Sequence, residues 1–146
     1  MGAGLYLHVP FCRRKCPYCN FYSVPAQPEL LTAYTAAVCR NLRHYGNAAQ
    51  PERVDTVYFG GGTPSLLLPA QIAQILETAA EQFALSADAE ITLEANPATV
   101  IPEQLRELRH AGINRLSLGV QSLSDAQLKR LGRLHTAQEA VETVYA

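Results

Sequence analysis

Apolar residues follow two alternating spacings along the 146-residue chain. Short apolar runs bounded by Gly, Pro or Asn are typical of buried strands, and they occupy positions 5–9, 54–59, 90–95 and 115–120. Elsewhere apolar residues recur at helical spacing, which predicts helices at 28–45, 69–83, 102–111, 124–131 and 136–146. Strands that alternate with helices predict an α/β fold with a parallel sheet.

Two residues of the first predicted helix have specific expectations. Gly46 is expected to end this helix, because glycine is the residue that most often follows a helix end. Cys39 falls inside the helix, twenty positions beyond Cys19. We interpret Cys39 as a small core residue and not as a metal ligand, since a free cysteine behaves as a small hydrophobic side chain.

Residues with distinctive chemistry follow each predicted strand. A cysteine-rich loop follows the first strand and a glycine run follows the second, while Glu94 lies near the end of the third and Gln121 directly after the fourth. In parallel sheets, functional groups gather at the carboxyl ends of the strands. The sequence therefore predicts a binding or catalytic site along this edge of the sheet.

Composition narrows the class of protein. Hydrophobic residues make up 48% and charged residues 17%, which is typical of a globular chain. A net charge of −1 gives no basic field for nucleic acid, and no apolar run is long enough for a membrane span or a signal peptide. Four cysteines without disulfide-framework spacing indicate a reducing compartment, so we expect a cytoplasmic location.

The length bears on domain organisation. A complete β/α barrel needs about 250 residues, and the helical pattern here runs to the last residue. Four strands alone would leave an open parallel edge, which favours aggregation. We therefore expect residues 1–146 to form one incomplete domain, with about four βα units of a TIM-type barrel, that continues beyond the C-terminus.

The strongest chemical signal is the spacing C-x3-C-x2-C formed by Cys12, Cys16 and Cys19. Three thiolates can hold three corners of a cuboidal iron–sulfur cluster. No fourth cysteine follows, since Phe21 stands two places beyond Cys19, so one iron would stay open to a chelating amine and carboxylate. A zinc site with His8 as fourth ligand, or three free thiols, are the alternatives.

The glycine run is the second candidate. Gly61, Gly62 and Thr63 belong to the segment G-G-G-T-P, in which glycines let the backbone approach a small polar group. No G-K-[ST] follows, so the segment is not a phosphate loop. A plain tight turn is the alternative.

Three polar side chains complete the set. Glu94 lies in an apolar strand, where a carboxylate needs a partner, either a ligand or Arg115. Gln121 either binds a hydroxyl group or satisfies its loop. Arg133 suits a carboxylate ligand, with a solvated surface position as the alternative. The loop cations at 13–15 offset a negative cluster, contact an acidic electron donor, or are simply solvated.

Five blocks of sequence resemble one branch of the radical S-adenosylmethionine (SAM) superfamily, which contains oxygen-independent coproporphyrinogen III oxidases and the haem chaperones of the HemW type. The cysteine spacing resembles the signature of the superfamily, and the later blocks resemble the branch. The blocks are residues 6–12, 16–19, 57–65, 94–97 and 115–122.

The resemblance implies a radical SAM core domain with a partial TIM-type barrel. It implies a 4Fe–4S cluster on Cys12, Cys16 and Cys19, and a reduced cluster that cleaves SAM to a 5′-deoxyadenosyl radical. The implied SAM contacts are Gly61, Gly62 and Thr63 with the methionine amino end, Glu94 and Gln121 with the ribose, Arg133 with the carboxylate, and Tyr6 and Tyr18 along the pocket.

Two features favour a haem chaperone over an oxidase. The cysteine pattern of the oxidases is C-x3-C-x2-C-x-C, which has a further cysteine where Phe21 stands here. The oxidases also carry a long extension before the cysteine loop, whereas Cys12 lies near the start of this sequence. A coproporphyrinogen III oxidase, or another radical SAM enzyme of the branch, is the alternative. The implied partners are haem or a porphyrinogen, haem-requiring acceptor proteins and a flavodoxin-like reductant.

Overall fold

The computed structural model describes residues 2–48 and 53–146 and has an α/β architecture, as predicted. The strands are β1 (Ala3–Val9), β2 (Phe11–Cys12), β3 (Val24–Pro25), β4 (Arg53–Gly61), β5 (Ala84–Ala95) and β6 (Arg115–Leu118). The α-helices are α1 (Pro28–Ala48), α2 (Pro69–Gln82), α3 (Pro102–His110), α4 (Asp125–Arg130) and α5 (Ala137–Tyr145). Single 3₁₀ turns lie at Pro64–Leu66 and Pro97–Thr99.

The main sheet has the strand order β1-β4-β5-β6, and every neighbouring pair is parallel. The four strands of this sheet follow one another in chain order. The short strands β2 and β3, which lie between β1 and β4 in the chain, form a separate pair. All four carboxyl ends meet at one edge, which is where the sequence predicted a site.

One face of the sheet packs against the helices. Side chains of α1, α2 and α3 enclose a core with alternate residues of the strands, since successive side chains point to opposite faces. The buried core includes Val9, Val57, Phe59 and Leu93 from the strands, and Cys39, Leu42, Ile72, Ile75, Ala79 and Leu108 from the helices.

The opposite face of the sheet is polar. Tyr6, Tyr58, Thr92 and Arg115 form one row across the four strands because they are partners in the parallel register. The rings of Tyr6 and Tyr58 stack with centroids 6.0 Å apart. A parallel sheet usually carries apolar residues on both faces, so this polar row marks the face as one that meets polar groups.

The first helix corrects one prediction. α1 continues past Gly46 to Ala48, because Gly46 is a packing residue: a Cβ there would lie 2.6 Å from Gln82 Cβ at the end of α2. At 21 residues α1 is the longest helix. No helix in the two described segments is long and apolar enough to cross a membrane.

All four strands of the main sheet differ from their predicted boundaries. β1 begins two residues earlier, at Ala3, and β4 extends from Arg53 to Gly61. β5 begins at Ala84 and not at 90, because Ala84 and Leu85 pair with the start of β4 across a register irregularity. β6 ends at Leu118 and not at 120, since its pairing with β5 stops at Ala95. The pairing of β2 with β3 inside the cysteine loop was not predicted.

Candidate cofactor site

A cavity of about 370 Å³ lies at the carboxyl ends of the sheet strands. Its walls come from the cysteine loop, the glycine run after β4, the end of β5 and the segments after β6 and α4. Every predicted site residue except Tyr6 lines it: Cys12, Cys16, Tyr18, Cys19, Gly61, Gly62, Thr63, Glu94, Gln121 and Arg133. Residues up to 121 positions apart in the chain thus meet at one place.

Tyr6 lies beside this cavity and not in its wall. It belongs to the polar row of the sheet, and its hydroxyl is 3.2 Å from His8 Nδ1. Burial raises the pKa of Tyr6, and the nearby charge of Glu94 raises it further. The role of Tyr6 in lining the cofactor pocket stays a prediction.

The cysteine loop is closed by backbone hydrogen bonds. Val24 N donates to Pro10 O at 2.7 Å and Ala26 N donates to Cys12 O at 3.1 Å, which are the bonds of the β2–β3 pair. Between these ends, Cys19 N donates to Cys16 O at 3.0 Å in a tight turn. The loop therefore presents its three half-buried thiols to the cavity from a fixed base.

The donor atoms at the cavity fit the needs of a cluster. Within residues 2–48 and 53–146, no three His, Cys, Asp or Glu side chains are grouped so that they could hold one metal ion. Zinc needs its ligands to converge on one point. In a cuboidal cluster each thiolate binds a different iron, so three thiols spread around one cavity fit a 4Fe–4S cluster.

The fourth cysteine is part of the core. Cys39 is 1% exposed, and its thiol donates to Gln74 O at 3.9 Å between α1 and α2. The interpretation of Cys39 as a core residue is confirmed.

The glycine run brings two loops into direct contact. A Cβ at Gly62 would lie 2.9 Å from Cys12 Sγ and 2.6 Å from Phe11 O, so no larger residue fits there. Gly61 has φ +121°, in the region that favours glycine. The run is therefore more than a tight turn, because it lets the end of β4 lie against the cysteine loop.

Glu94 is held by groups of the chain itself. Its Oε1 accepts from Tyr58 Oη at 2.8 Å, and its Oε2 accepts from Gly61 N at 3.0 Å. The first of these bonds raises the pKa of Tyr58. Arg115 forms an ion pair with Glu90 at 3.5 Å, so the alternative that Arg115 is the partner of Glu94 is wrong. Each carboxylate oxygen retains a lone pair for a ligand hydroxyl.

Arg133 is half-buried, so the alternative of a solvated surface position is wrong. Its Nη1 lies 3.6 Å from Cys16 Sγ, and its Nη2 donates to Gly119 O at 2.7 Å and to Asn96 Oδ1. Its buried Nε has no acceptor among the described residues. An unpaired buried donor is costly, and on a permanent cation it fits an anionic ligand group such as a carboxylate.

Gln121 occupies a strained turn at the cavity wall. Its φ of +68° is the only positive value among the non-glycine residues that the structure describes. Ser122 N donates to Val120 O at 2.9 Å across it. Such a backbone costs on the order of 1–3 kcal/mol, and strain of this kind clusters at ligand sites.

Three residues of the site were not predicted: Tyr58, Asn96 and His135. The parity of β4 places Tyr58 on the same face as its neighbours in the polar row, so strand alternation would have found it. Asn96 directly follows β5, the same strand-end position that indicated Glu94. His135 follows α4 in a segment without periodicity, and no sequence signal indicates it.

His135 is a buried histidine of the cavity wall. It is 4% exposed, and its Nε2 donates to Val120 O at 3.0 Å. Burial lowers the pKa of His135 most, and the charge of Arg133 lowers it further, while the bond to Val120 opposes the shift. Burial therefore favours the neutral imidazole in the folded state.

We expect the free energy of unfolding to fall as the pH falls below the ordinary histidine pKa of 6.5. Below that pH the unfolded chain binds a proton that folded His135 binds less well, so protonation favours unfolding. Urea denaturation between about pH 8 and about pH 5.5 measures this slope. The slope should be smaller in His135→Asn and unchanged in His44→Asn, which alters an exposed histidine of α1; equal slopes in all three proteins would contradict the assignment.

Comparison with known proteins agrees with this geometry. The family model described as the radical SAM superfamily matches residues 6–146. The mitochondrial radical S-adenosyl methionine domain-containing protein 1 of Mus musculus is 44% identical over 143 residues, which are 97% of this chain and 32% of the relative. The heme chaperone HemW of Escherichia coli is 44% identical over 138 residues, which are 94% of this chain and 36% of the relative.

A solved structure supports the same relationship. Coproporphyrinogen III oxidase (HemN) from Escherichia coli, described as a radical SAM enzyme, superimposes with a TM-score of 0.89 at 29% identity, over 97% of this chain and 33% of that one. The chain thus spans about a third of the length of these relatives. The parallel sheet and its helices match a section of the barrel-like fold of HemN, and the chain belongs to the radical SAM superfamily.

Proposed function

We propose that residues 1–146 are the N-terminal part of a radical SAM core domain, in a longer protein that acts in haem metabolism as a haem chaperone. The observation that carries the first part is the composition of one cavity wall. Three thiols, a glycine run, a carboxylate and an arginine with an unpaired buried Nε line the same space.

In this proposal Cys12, Cys16 and Cys19 hold a 4Fe–4S cluster, and SAM lies against the adjoining wall. When bound, the two cofactors supply reductive cleavage of a carbon–sulfur bond of SAM. The chain's own groups bind and orient SAM in the ways that follow from their contacts.

Each wall group has a distinct share in binding. The fixed carboxylate of Glu94 accepts from ribose hydroxyls, as does the side-chain oxygen of Gln121. The Nε of Arg133 donates to the SAM carboxylate. The hydroxyl of Thr63 is engaged with Cys12 and Asn96, so the backbone of Gly61, Gly62 and Thr63 meets the amino end. Tyr18 covers the cavity beside Cys16, and burial raises its pKa.

Support for a chaperone comes from the names of relatives and from one side chain. Relatives from Escherichia coli, Haemophilus influenzae and Lactococcus lactis bear the name heme chaperone HemW, at 44%, 39% and 37% identity. Phe21 stands at the position where the oxidase pattern has a further cysteine. Its side chain is 64% exposed at the cavity rim. An apolar ring in this place adds surface for a flat macrocycle and supplies no thiol.

Coproporphyrinogen III oxidase is the second candidate, and the structural likeness to HemN supports it. It differs from the first in consuming SAM while it decarboxylates a porphyrinogen. Both candidates share the cluster and the SAM site, so only the fate of the tetrapyrrole separates them.

The proposed partners follow from these roles. They are haem or a porphyrinogen, haem-requiring acceptor proteins for a chaperone, and a flavodoxin-like reductant for the cluster. The exposed cations Arg14 and Lys15 lie on the cysteine loop, where they suit an acidic electron donor. The cytoplasmic location stays a prediction, and the Mus musculus relative is named as mitochondrial.

One anaerobic experiment separates the candidates. The full-length protein is incubated with reductant, SAM and coproporphyrinogen III, and a haem titration is run beside it. We expect tight haem binding that persists in Cys12→Ala, with no turnover of the porphyrinogen. Many turnovers to protoporphyrinogen would contradict the chaperone and establish the oxidase. If neither haem binding nor turnover is observed, the third alternative remains, which is another radical SAM enzyme of this branch.

A further inference from the structure

Two of the three cavity thiols receive hydrogen bonds from side chains outside the cysteine loop. Thr63 Oγ1 donates to Cys12 Sγ at 3.7 Å, from a residue that is 4% exposed. Arg133 Nη1 donates to Cys16 Sγ at 3.6 Å. These donors come from the end of β4 and from the segment after α4, so the two sulfurs are contacted from two separate segments of the chain.

Asn96 connects these two donors. Its Nδ2 donates to Thr63 Oγ1 at 3.2 Å, and its Oδ1 accepts from Arg133 Nη2. A threonine hydroxyl has a single proton. Because Thr63 accepts from Asn96, that proton is directed to Cys12. The side chains of Thr63, Asn96 and Arg133 therefore form one hydrogen-bonded bridge between the two sulfurs.

The side chain of Asn96 is not needed for the turn that follows it. The backbone N of Asn96 donates to Thr99 Oγ1 at 3.2 Å, and its carbonyl accepts from Thr99 N at 2.9 Å. The segment after β6 confines the side chain, since a Cβ at Gly119 would lie 2.8 Å from Asn96 Oδ1. Substitution of Asn96 thus removes the bridge and leaves the bonds of the turn.

We infer that Asn96 is a positioning residue, which directs Thr63 and Arg133 onto the sulfurs of Cys12 and Cys16 and thereby raises the reduction potential of the cluster. The inference rests on the proposed 4Fe–4S cluster. Reduction adds an electron to the cluster and increases the negative charge on its thiolate sulfurs. Hydrogen bonds to those sulfurs stabilise the reduced form, which is one of the factors that set such potentials.

The first test removes one hydroxyl. Thr63→Val keeps the shape of the side chain and removes the donor to Cys12. In a spectroelectrochemical titration of the reconstituted full-length protein without SAM, we expect the one-electron equilibrium to shift about tenfold against the reduced form, or about 59 mV. Thr63→Ser should retain the wild-type potential. Thr78→Val, which removes a hydroxyl that is equally buried in α2, should not shift it.

The second test addresses Asn96 itself. Asn96→Asp has no N–H to donate, so the hydroxyl of Thr63 turns to the carboxylate and leaves Cys12. We expect Asn96→Asp to lower the potential at least as far as Thr63→Val. The double variant should lower it no further than Asn96→Asp alone, because the same bond is lost in both. Additive shifts would overturn the inference, since Asn96 would then act independently of Thr63.

Iron and sulfide analysis separates failure of the inference from failure of the proposed function. Wild-type protein that binds no cluster would refute the proposed function. The inference alone would be overturned if the wild-type protein binds a full cluster and Thr63→Val shifts the reduction potential no more than Thr78→Val does. Loss of the cluster in Thr63→Val, when Thr78→Val retains it, would also overturn it, because the hydroxyl would then serve assembly and not the potential.

Discussion

Replacement of Cys12, Cys16 or Cys19 by Ala should abolish the iron–sulfur chromophore. In the proposed site each thiolate holds one corner of the cluster, and no other thiol in the described residues lies at the cavity. Anaerobic reconstitution of the full-length wild-type protein should give about four iron and four sulfide per chain. Iron and sulfide analysis, with the visible absorption spectrum, measures the loss.

Cys39→Ala is the matched control, since it removes a thiol from the core and not from the cavity. We expect a full cluster and a modest decrease in stability of about 1 kcal/mol, as for a small truncation in a packed core. Stoichiometric zinc in freshly purified wild-type protein, without capacity for iron, would contradict the cluster assignment.

Glu94→Gln should weaken the binding of SAM tenfold or more, while the cluster still assembles. The substitution removes the charge that strengthens bonds to ligand hydroxyls, and such bonds contribute about 2 kcal/mol. The amide keeps an oxygen for Gly61 N, and its N–H₂ can donate to the Tyr58 hydroxyl, so the local fold should persist. Equilibrium binding to the reconstituted protein measures the dissociation constant.

Glu90→Gln provides the comparison. Glu90 lies on the same strand and face, four residues before Glu94, but it is paired with Arg115 and lies outside the cavity wall. Its substitution should leave the SAM affinity within about twofold of the wild type, since surface ion pairs contribute little. Equal losses in both variants would show that the effect of Glu94 is one of general charge and not of contact.

The fold followed from the sequence to the extent that apolar spacing controls it. The four strands of the main sheet and all five helices were predicted, because a buried face imposes its period on the residues that form it. The end of α1 was predicted wrongly because Gly46 packs closely against Gln82. This contact joins distant parts of the chain, so no local pattern indicates it. The β2–β3 pair was missed because strands of two residues have no period.

The candidate site followed from the sequence through the rule on strand ends. That rule located the cysteines, the glycine run, Glu94 and Gln121 at one edge, and the structure places them around one cavity. Arg133 lies outside that rule, and it was predicted from the suitability of its guanidinium for a carboxylate ligand and from the resemblance to a family. The contacts of Asn96 with Thr63 and Arg133 depend on side-chain positions in three separate segments, which no local pattern encodes.

The closure of the cysteine loop affects how the chain gains its metal. The bonds of the β2–β3 pair join Val24 to Pro10 and Ala26 to Cys12 through backbone atoms alone, so they require no thiol chemistry. The entropic cost of bringing the loop ends together is therefore incurred during folding and not during metal binding. A zinc finger is unfolded without its ion, whereas the backbone bonds of this loop form without a metal. For the proposed cluster we therefore expect insertion after the sheet has formed, and we expect cysteine variants without metal to remain folded.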